Sequence, residues 1–208
     1  MADKIDIIYF LEDRAQEGFI KALVEKVANE TGIPNEVLRH SVRSARRGSR
    51  VVAEFRKFLK DARRLGSPGA DLIVVSVDGN CKGYNDRVKQ LNRYLRPTDW
   101  FQSRILYAVP DPHIERWYLM DQKALKEGIG VDKPPEMPPY KCKKGHYKQI
   151  LNKALRDAGI QSLLGGPEYA EKIIGNILDL RLFAEKNAGL EKFIEDLQKG
   201  LRELYRYN

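Results

Sequence analysis

The chain has few of the features that define membrane, secreted or disulfide-rich proteins. Its 208 residues include two cysteines, and no apolar run approaches the length of about 18 residues that crossing a bilayer requires. Cys81 and Cys142 lie far apart and form no CxxC pair, so we expect reduced thiols and no disulfide framework. The first residues, MADKIDIIYFLEDR, place acids on both sides of a short apolar stretch, unlike a secretory signal. These absences predict a cytoplasmic protein without a membrane partner.

The chain also lacks a glycine-rich phosphate loop. Where a dinucleotide-binding enzyme carries GxGxxG after its first strand, this sequence has LEDRAQEG. A Rossmann-like enzyme for a small molecule therefore stays only a minor alternative. A zinc site has equally little support, because KCKKGHYK offers Cys142 and His146 and the segment holds no further ligands.

Positive charge, in contrast, is in excess. Lys and Arg number 37 against 29 Asp and Glu, which gives a formal net charge of +8 and favours a polyanionic partner such as nucleic acid. Arginines concentrate in RHSVRSARRGSR, and guanidinium groups pair well with phosphates. The candidate phosphate contacts are Arg43, Arg46, Arg47 and Arg50. An ordinary solvated surface is the alternative interpretation of this charge run.

The spacing of apolar residues predicts strands that alternate with helices in the first part of the chain. We expect strands over 5–11, 37–42, 72–77 and 104–109, and helices over 15–30, 51–64 and 82–95 and after Pro112. Parallel neighbours need crossover connections of this length. The sequence therefore predicts an α/β fold with a mostly parallel four-stranded sheet and helices on both faces.

A proline-rich stretch, VDKPPEMPPYK, interrupts this pattern. After it, helical spacing is found over 147–157, 168–186 and 190–207, and no strand pattern returns. We therefore divide the chain into an α/β domain over 1–122, a connecting loop over 123–145 and an all-helical C-terminal extension over 146–208.

Acidic residues follow three of the predicted strands. Glu12 follows the first, Asp78 the third, and Asp111 or Glu115 the fourth. Loops at the carboxyl ends of parallel strands meet at one edge of the sheet, so we expect these side chains to converge. Such a group of carboxylates is costly without a cation, and Mg²⁺ or Mn²⁺ suits oxygen ligands. Helix capping is the alternative role for such acids, Asp13 and Asp111 in particular.

At these acids the sequence resembles the TOPRIM domains of topoisomerases and primases, especially the OLD-family nuclease branch and its small stand-alone relatives. The resemblance covers about residues 5–122 and is carried by FLEDRAQEGFIKAL, DLIVVSVDGNCKG and VPDPHIERWYLMD. It implies that Glu12, Asp78 and Glu115 are catalytic metal ligands. Asn80 occupies the second aspartate position of the family's D-x-D pair, where it would be a weaker, neutral ligand. Auxiliary candidates are Asp13, Glu17, Asp111 and His113.

The resemblance implies Mg²⁺-dependent hydrolysis of phosphodiester bonds, with DNA favoured over RNA as the substrate. It also suggests a partner ATPase, as in the fused OLD-type enzymes, and leaves a homodimer open. Because Asn80 departs from the family pattern, a non-catalytic module that binds nucleic acid or assembles a complex remains the alternative.

Overall fold

Four parallel strands form the centre of the fold. The computed structural model describes residues 4–44, 50–162 and 165–206. Among these residues the strands are β1 (Ile5–Leu11), β2 (Leu38–Ser44), β3 (Leu72–Ser76) and β4 (Ile105–Ala108). Their order in the sheet is β2-β1-β3-β4, and every neighbouring pair is parallel. The parallel four-stranded sheet expected from the sequence is confirmed.

Helices connect the strands and continue beyond the sheet. The connecting helices are α1 (Arg14–Glu30), α2 (Val51–Leu65) and α3 (Gly83–Asn92). Those that follow β4 are α4 (Glu115–Tyr118), α5 (Gln122–Ile129), α6 (His146–Asp157), α7 (Ala170–Gly175), α8 (Leu180–Ala184) and α9 (Ala188–Arg206). The predicted α/β class with a helical extension is confirmed. None of the helices in the described residues is long and apolar enough to cross a membrane.

Two hydrophobic cores lie on opposite faces of the sheet, because successive strand side chains point to opposite sides. Tyr9 and Val74 pack into a core that they share with α1 and the helices from α4 to α9. Phe10 and Val75 point to the other face, where α2 contributes Phe55. Packing is therefore continuous between the sheet and the C-terminal helices, whereas the division of the chain at 122 and 145 remains a prediction.

The single helix expected over 168–186 is wrong. The chain makes a short 3-10 turn at Pro167–Tyr169, then α7, and then α8 after a break. Asp179 caps α8 by accepting a hydrogen bond from the backbone N–H of Leu182 at 2.9 Å. The Asn176 side chain donates to the carbonyl of Lys172 at 2.8 Å. These local polar contacts compete with a continuous helix, which apolar spacing alone does not reveal.

Helix α5 also departs from the sequence-based prediction, since it lies inside the expected connecting loop over 123–145. Asp121 caps this helix by accepting from the backbone N–H of Ala124 at 2.9 Å. The irregular stretch with the prolines begins after α5.

The two cysteines form a disulfide, so the expectation of reduced thiols is wrong. Cys81 lies in the loop after β3 and Cys142 in the irregular stretch before α6, with their Cα atoms 5.7 Å apart. Asp111 joins the same two segments, because it accepts from the backbone N–H of Cys81 at 2.9 Å and from the hydroxyl of Tyr140 at 2.7 Å. A sequence separation of 61 residues hid this proximity.

An ion pair between Arg63 and Asp99 joins α2 to the loop before β4. Asp99 is 5% exposed, and Arg63 donates to its two oxygens at 2.8 and 2.7 Å. The backbone N–H of Arg96 donates to it as well, at 2.8 Å. These hydrogen bonds, above all those from Arg63, hold the pKa of Asp99 below its ordinary value of 3.8.

We expect Asp99→Asn to lower the free energy of unfolding by about 2 kcal/mol at neutral pH, because charge-assisted hydrogen bonds are lost from a buried position. A lowered pKa stabilises the fold above the unfolded-state pKa, and this contribution disappears as the pH falls through the folded-state pKa. The difference between wild type and variant should therefore shrink below about pH 4 in urea titrations. Asp61→Asn, which breaks the exposed pair with Arg64, should change stability by less than about 0.5 kcal/mol. An equal loss of unfolding free energy in both variants would show that the buried pair of Arg63 and Asp99 contributes no more than the exposed pair of Arg64 and Asp61.

For the disulfide, we expect Cys142→Ser to unfold at a lower denaturant concentration than the oxidised wild type. Closing a loop of 61 residues corresponds to about 4 kcal/mol in the chain-entropy model. Addition of a thiol reductant should remove the difference between the two proteins. If the wild type keeps its higher denaturation midpoint after the disulfide is reduced, the disulfide is not the source of the difference in stability.

Candidate functional site

Asp78 lies at the centre of a polar cluster at the carboxyl edge of the sheet. One of its oxygens accepts a hydrogen bond from the side-chain amide of Gln16, which is 1% exposed, at 3.0 Å. Its other oxygen lies 3.1 Å from Nδ1 of His113. An ionised carboxylate only accepts, so Nδ1 of His113 carries the proton in this pair. The Asp78 carboxylate is thus held between α1 and the loop after β4.

Sequence reasoning missed Gln16, although a signal for it was present. Gln16 also accepts a hydrogen bond from the backbone N–H of Glu12 at 2.9 Å, so it links the end of β1 to Asp78. It is spaced one helical turn before Phe19 and Ile20, on the face of α1 that packs on the sheet. A glutamine at such a position needs buried polar partners, and Glu12 and Asp78 provide them.

Glu12 is the most strongly perturbed acid of the cluster. Burial and the negative charges of Asp78 and Asp13 raise the pKa of Glu12 to about 8, although the backbone N–H of Asp78 and the charge of Arg87 act in the opposite direction. Arg87 of α3 lies beside the loop that follows β3, where its side chain donates a hydrogen bond to the carbonyl of Gly79 at 3.2 Å. The end of β1 therefore carries a carboxyl group whose charged form is poorly compensated.

Glu115 belongs to the same electrostatic environment. Burial raises its pKa, and the charges of Asp78 and Asp13 raise it further. The hydrogen bond to Asp78 raises the pKa of His113, supported by the charges of Asp78, Glu115 and Glu12. The structure thus brings Glu12, Asp78, His113 and Glu115 to one edge of the sheet, and their role as ligands stays a prediction.

The donor set fits a hard divalent cation in its chemistry, since carboxylate oxygens predominate. Its present geometry is not that of a finished metal cage. Within the described residues, no group of three His, Cys, Asp or Glu side chains is arranged to hold a metal ion. Gln16 and His113 each bond to one oxygen of Asp78, and each of these oxygens keeps a second lone pair with which to bind a cation.

The loop after β4 differs from the expected helix. Helix α4 begins only at Glu115, so His113 precedes it, and Asp111 does not cap it because the N-cap residue is Ile114. The carboxylate of Asp111 instead accepts hydrogen bonds from the backbone N–H of Cys81 and the hydroxyl of Tyr140. The alternative in which Asp111 caps this helix is therefore wrong, and its carboxylate is engaged in joining two loops.

Asn80 lies in a constrained loop and is exposed. It has a φ of 47° and is followed by Cys81 at 68°, both in the left-handed region that non-glycine residues seldom adopt. Its side-chain amide donates to the carbonyl of Asp78 at 3.3 Å. Gly79 allows the close approach of this loop to the Asp111 side chain, because an added Cβ would lie 2.6 Å from Cβ of Asp111. Metal binding by Asn80 remains a prediction.

The first turn of α1 supplies the other two auxiliary candidates. Asp13 caps the helix by accepting from the backbone N–H of Gln16 at 3.0 Å, as the capping interpretation predicts. It nevertheless remains within electrostatic range of Glu12 and Glu115. In the part of the chain that the structure describes, no hydrogen bond or ion pair connects Glu17 to the cluster.

The candidate phosphate contacts are described only in part. Arg43 lies in β2 opposite Phe10 of β1 and is exposed, and Arg50 is exposed immediately before α2. Arg46 and Arg47 lie outside the described residues. Since β1 and β2 are parallel, Arg43 lies near the same edge of the sheet as Glu12.

The raised pKa of Glu12 has a consequence for stability. Between its ordinary value of 4.5 and about 8, the folded state holds a proton that the unfolded state has released, so stability falls as the pH rises through this window. We expect Glu12→Gln to stabilise the metal-free protein above pH 8 by up to about 5 kcal/mol, because each unit of pKa shift corresponds to about 1.4 kcal/mol. The gain should vanish near pH 4, and Glu54→Gln on the exposed side of α2 should show none. A Gln variant that is less stable than wild type at pH 9 would contradict the charge assignment.

Comparisons with known proteins leave the site without an assigned relative. No family model, curated protein or solved structure matches the chain. The resemblance to TOPRIM domains therefore remains a hypothesis that rests on three sequence segments. The structural argument for a function therefore rests on the positions of Glu12, Asp78 and Glu115 at the carboxyl edge of the sheet.

Proposed function

We propose that this chain is a TOPRIM-like, metal-dependent phosphodiesterase that acts on nucleic acid. The observation that carries the proposal is the grouping of Glu12, Asp78 and Glu115, from the segments that follow three different strands, at the carboxyl edge of a parallel sheet. Carboxylates in one partly buried place repel each other unless a cation balances them. Mg²⁺ or Mn²⁺ would be held by these three residues, with Asn80 as a weaker fourth oxygen donor.

A divalent cation bound there would polarise a phosphoryl oxygen and lower the pKa of an attacking water. The residues of the chain add positioning and proton transfer. Asp78 orients His113 through Nδ1, which leaves Nε2 to exchange a proton with the substrate. Gln16 fixes Asp78 from the other side and links it to the backbone at Glu12.

Nucleic acid suits the charge of the chain and the position of its arginines. The formal net charge is +8, and Arg43 and Arg50 lie on the β2 side of the acidic edge. We propose that they contact substrate phosphates together with Arg46 and Arg47. DNA as the preferred substrate and a partner ATPase are parts of the same proposal and depend on the resemblance to the OLD family. A homodimer and a cytoplasmic location are proposed as well, and neither depends on that resemblance.

A second candidate function is a non-catalytic module that binds nucleic acid or assembles a complex. Two observations favour it: the side chain of Asn80 bonds back to its own loop, and both oxygens of Asp78 already have protein partners. These contacts fit a protein that keeps the polar cluster around Asp78 for structural reasons and binds no metal there.

The test is cleavage of labelled single-stranded and duplex DNA, and of RNA, in Mg²⁺ or Mn²⁺. We expect wild-type cleavage that EDTA abolishes, and a loss of about 100-fold or more in Asp78→Asn and in Glu115→Gln. The matched control is Asp71→Asn. Asp71 precedes the same strand at its opposite end, where it accepts from the backbone N–H of Asp6, and its variant should retain activity.

The two candidate functions give different outcomes. A wild-type protein that leaves DNA and RNA intact with both metals, and an Asp78→Asn variant that binds them unchanged, would reject the nuclease and favour the binding module. Cleavage that survives in Asp78→Asn would place the chemistry elsewhere.

A further inference from the structure

Two neighbouring cavities lie along α6, and the first of them is partly lined by Glu115 of the acidic site. This first cavity has a volume of about 260 Å³, and its charged lining residues are Asp13, Arg14, Glu115 and Lys148. The second, of about 390 Å³, extends along α6 past Asn152 and Arg156. Lys148 and Gly165 line both cavities. We call this continuous depression the α6 groove.

The polar side chains of α6 in the groove repeat every four residues. Lys148, Asn152 and Arg156 therefore share one side of the helix, with about 6 Å of axial rise between neighbours. Both basic residues are exposed, and within the described ranges neither forms an ion pair. Lys153, on another side of α6, is instead paired with Asp157 at 3.9 Å. The groove thus presents two unpaired positive charges about 12 Å apart along the helix axis, with the neutral Asn152 between them.

One acid, Glu168, is bonded to the loop that contributes Ser162 and Gly165 to the lining of the groove. Glu168 accepts hydrogen bonds from the hydroxyl of Ser162 and from the backbone N–H of Gly166. Ser162 in turn accepts from the backbone N–H groups of Gly165 and Gly166 at 2.7 and 2.9 Å. The carboxylate of Glu168 is therefore occupied in ordering this loop, and Lys148 and Arg156 set the charge of the open side.

We infer that the α6 groove binds the sugar-phosphate backbone of a single-stranded nucleic acid and guides one phosphodiester to the acidic site. The inference rests on the proposed function, because it treats the groove as the path of that enzyme's substrate. Two cations on one side of a helix suit a chain of phosphates, and Asn152 between them can donate to a phosphate oxygen. At the acidic end the charges of Asp13 and Glu115 oppose those of Arg14 and Lys148, so a phosphate is attracted less strongly there without a bound cation.

The experiment measures binding of a fluorescein-labelled oligothymidylate in EDTA, so that no cleavage occurs. The groove variant is Lys148→Gln with Arg156→Gln. Each lost phosphate contact lowers the dependence of log K on log salt by about 0.7 for a single strand, which corresponds to about fivefold in affinity at 0.1 M salt. We expect the groove variant to bind about 25-fold more weakly at 0.1 M salt, with a salt slope smaller by about 1.4.

The matched control is Lys153→Gln with Arg181→Gln, which removes the same net charge from two exposed, ion-paired residues of the C-terminal helices. It should bind nearly as the wild type does. Equal weakening in the two variants would overturn the inference, because net charge alone would explain binding. So would displacement of the labelled strand by polyglutamate as readily as by unlabelled oligothymidylate, since the groove would then accept any polyanion.

Parallel cleavage assays in Mn²⁺ separate this inference from the proposed function. If the groove variant loses binding while the wild type does not cleave, the groove is supported and the nuclease proposal fails. If the wild type cleaves and the groove variant cleaves at the same rate, the nuclease proposal stands and the groove inference fails.

Discussion

The hydrogen bonds that hold Asp78 between Gln16 and His113 are the interaction on which the site depends. They join the ends of β1 and β3 to the loop after β4, so that three separate loops keep one arrangement. Without these partners Asp78 would be a partly buried carboxylate next to Glu12 and Glu115, with only repulsion between them. The same hydrogen bonds orient Asp78 and leave a second lone pair on each of its oxygens for a metal ion.

Asp111 differs from the acids around Asp78, because both of its carboxylate oxygens are hydrogen-bonded to other segments of the chain. Asp111 lies close in sequence to His113, yet it serves the backbone of Cys81 and the hydroxyl of Tyr140. Together with the Cys81–Cys142 disulfide, it fixes the irregular segment before α6 against the loop that carries Asp78. The position of α6, and therefore of its groove, is thus connected to the position of the acidic cluster.

Much of the fold could be predicted from periodicity, because buried strands such as Leu72–Ser76 and the long faces of α1 and α2 have strong apolar patterns. The placement of acids after strands followed from the parallel topology. The disulfide and the role of Asp111 could not be predicted, since both depend on how a proline-rich segment folds back. Gln16 was within reach, because its spacing in α1 marks it as buried. The break between α7 and α8 depends on local hydrogen bonds of Asn176 and Asp179, which hydrophobic spacing does not report.

The most direct test of the central claim is the anomalous diffraction of Mn²⁺ soaked into a crystal of the protein. We expect a peak with carboxylate oxygens of Glu12, Asp78 and Glu115 at about 2.0–2.6 Å. A structure in saturating Mn²⁺ that shows no peak at this edge of the sheet would contradict the metal site.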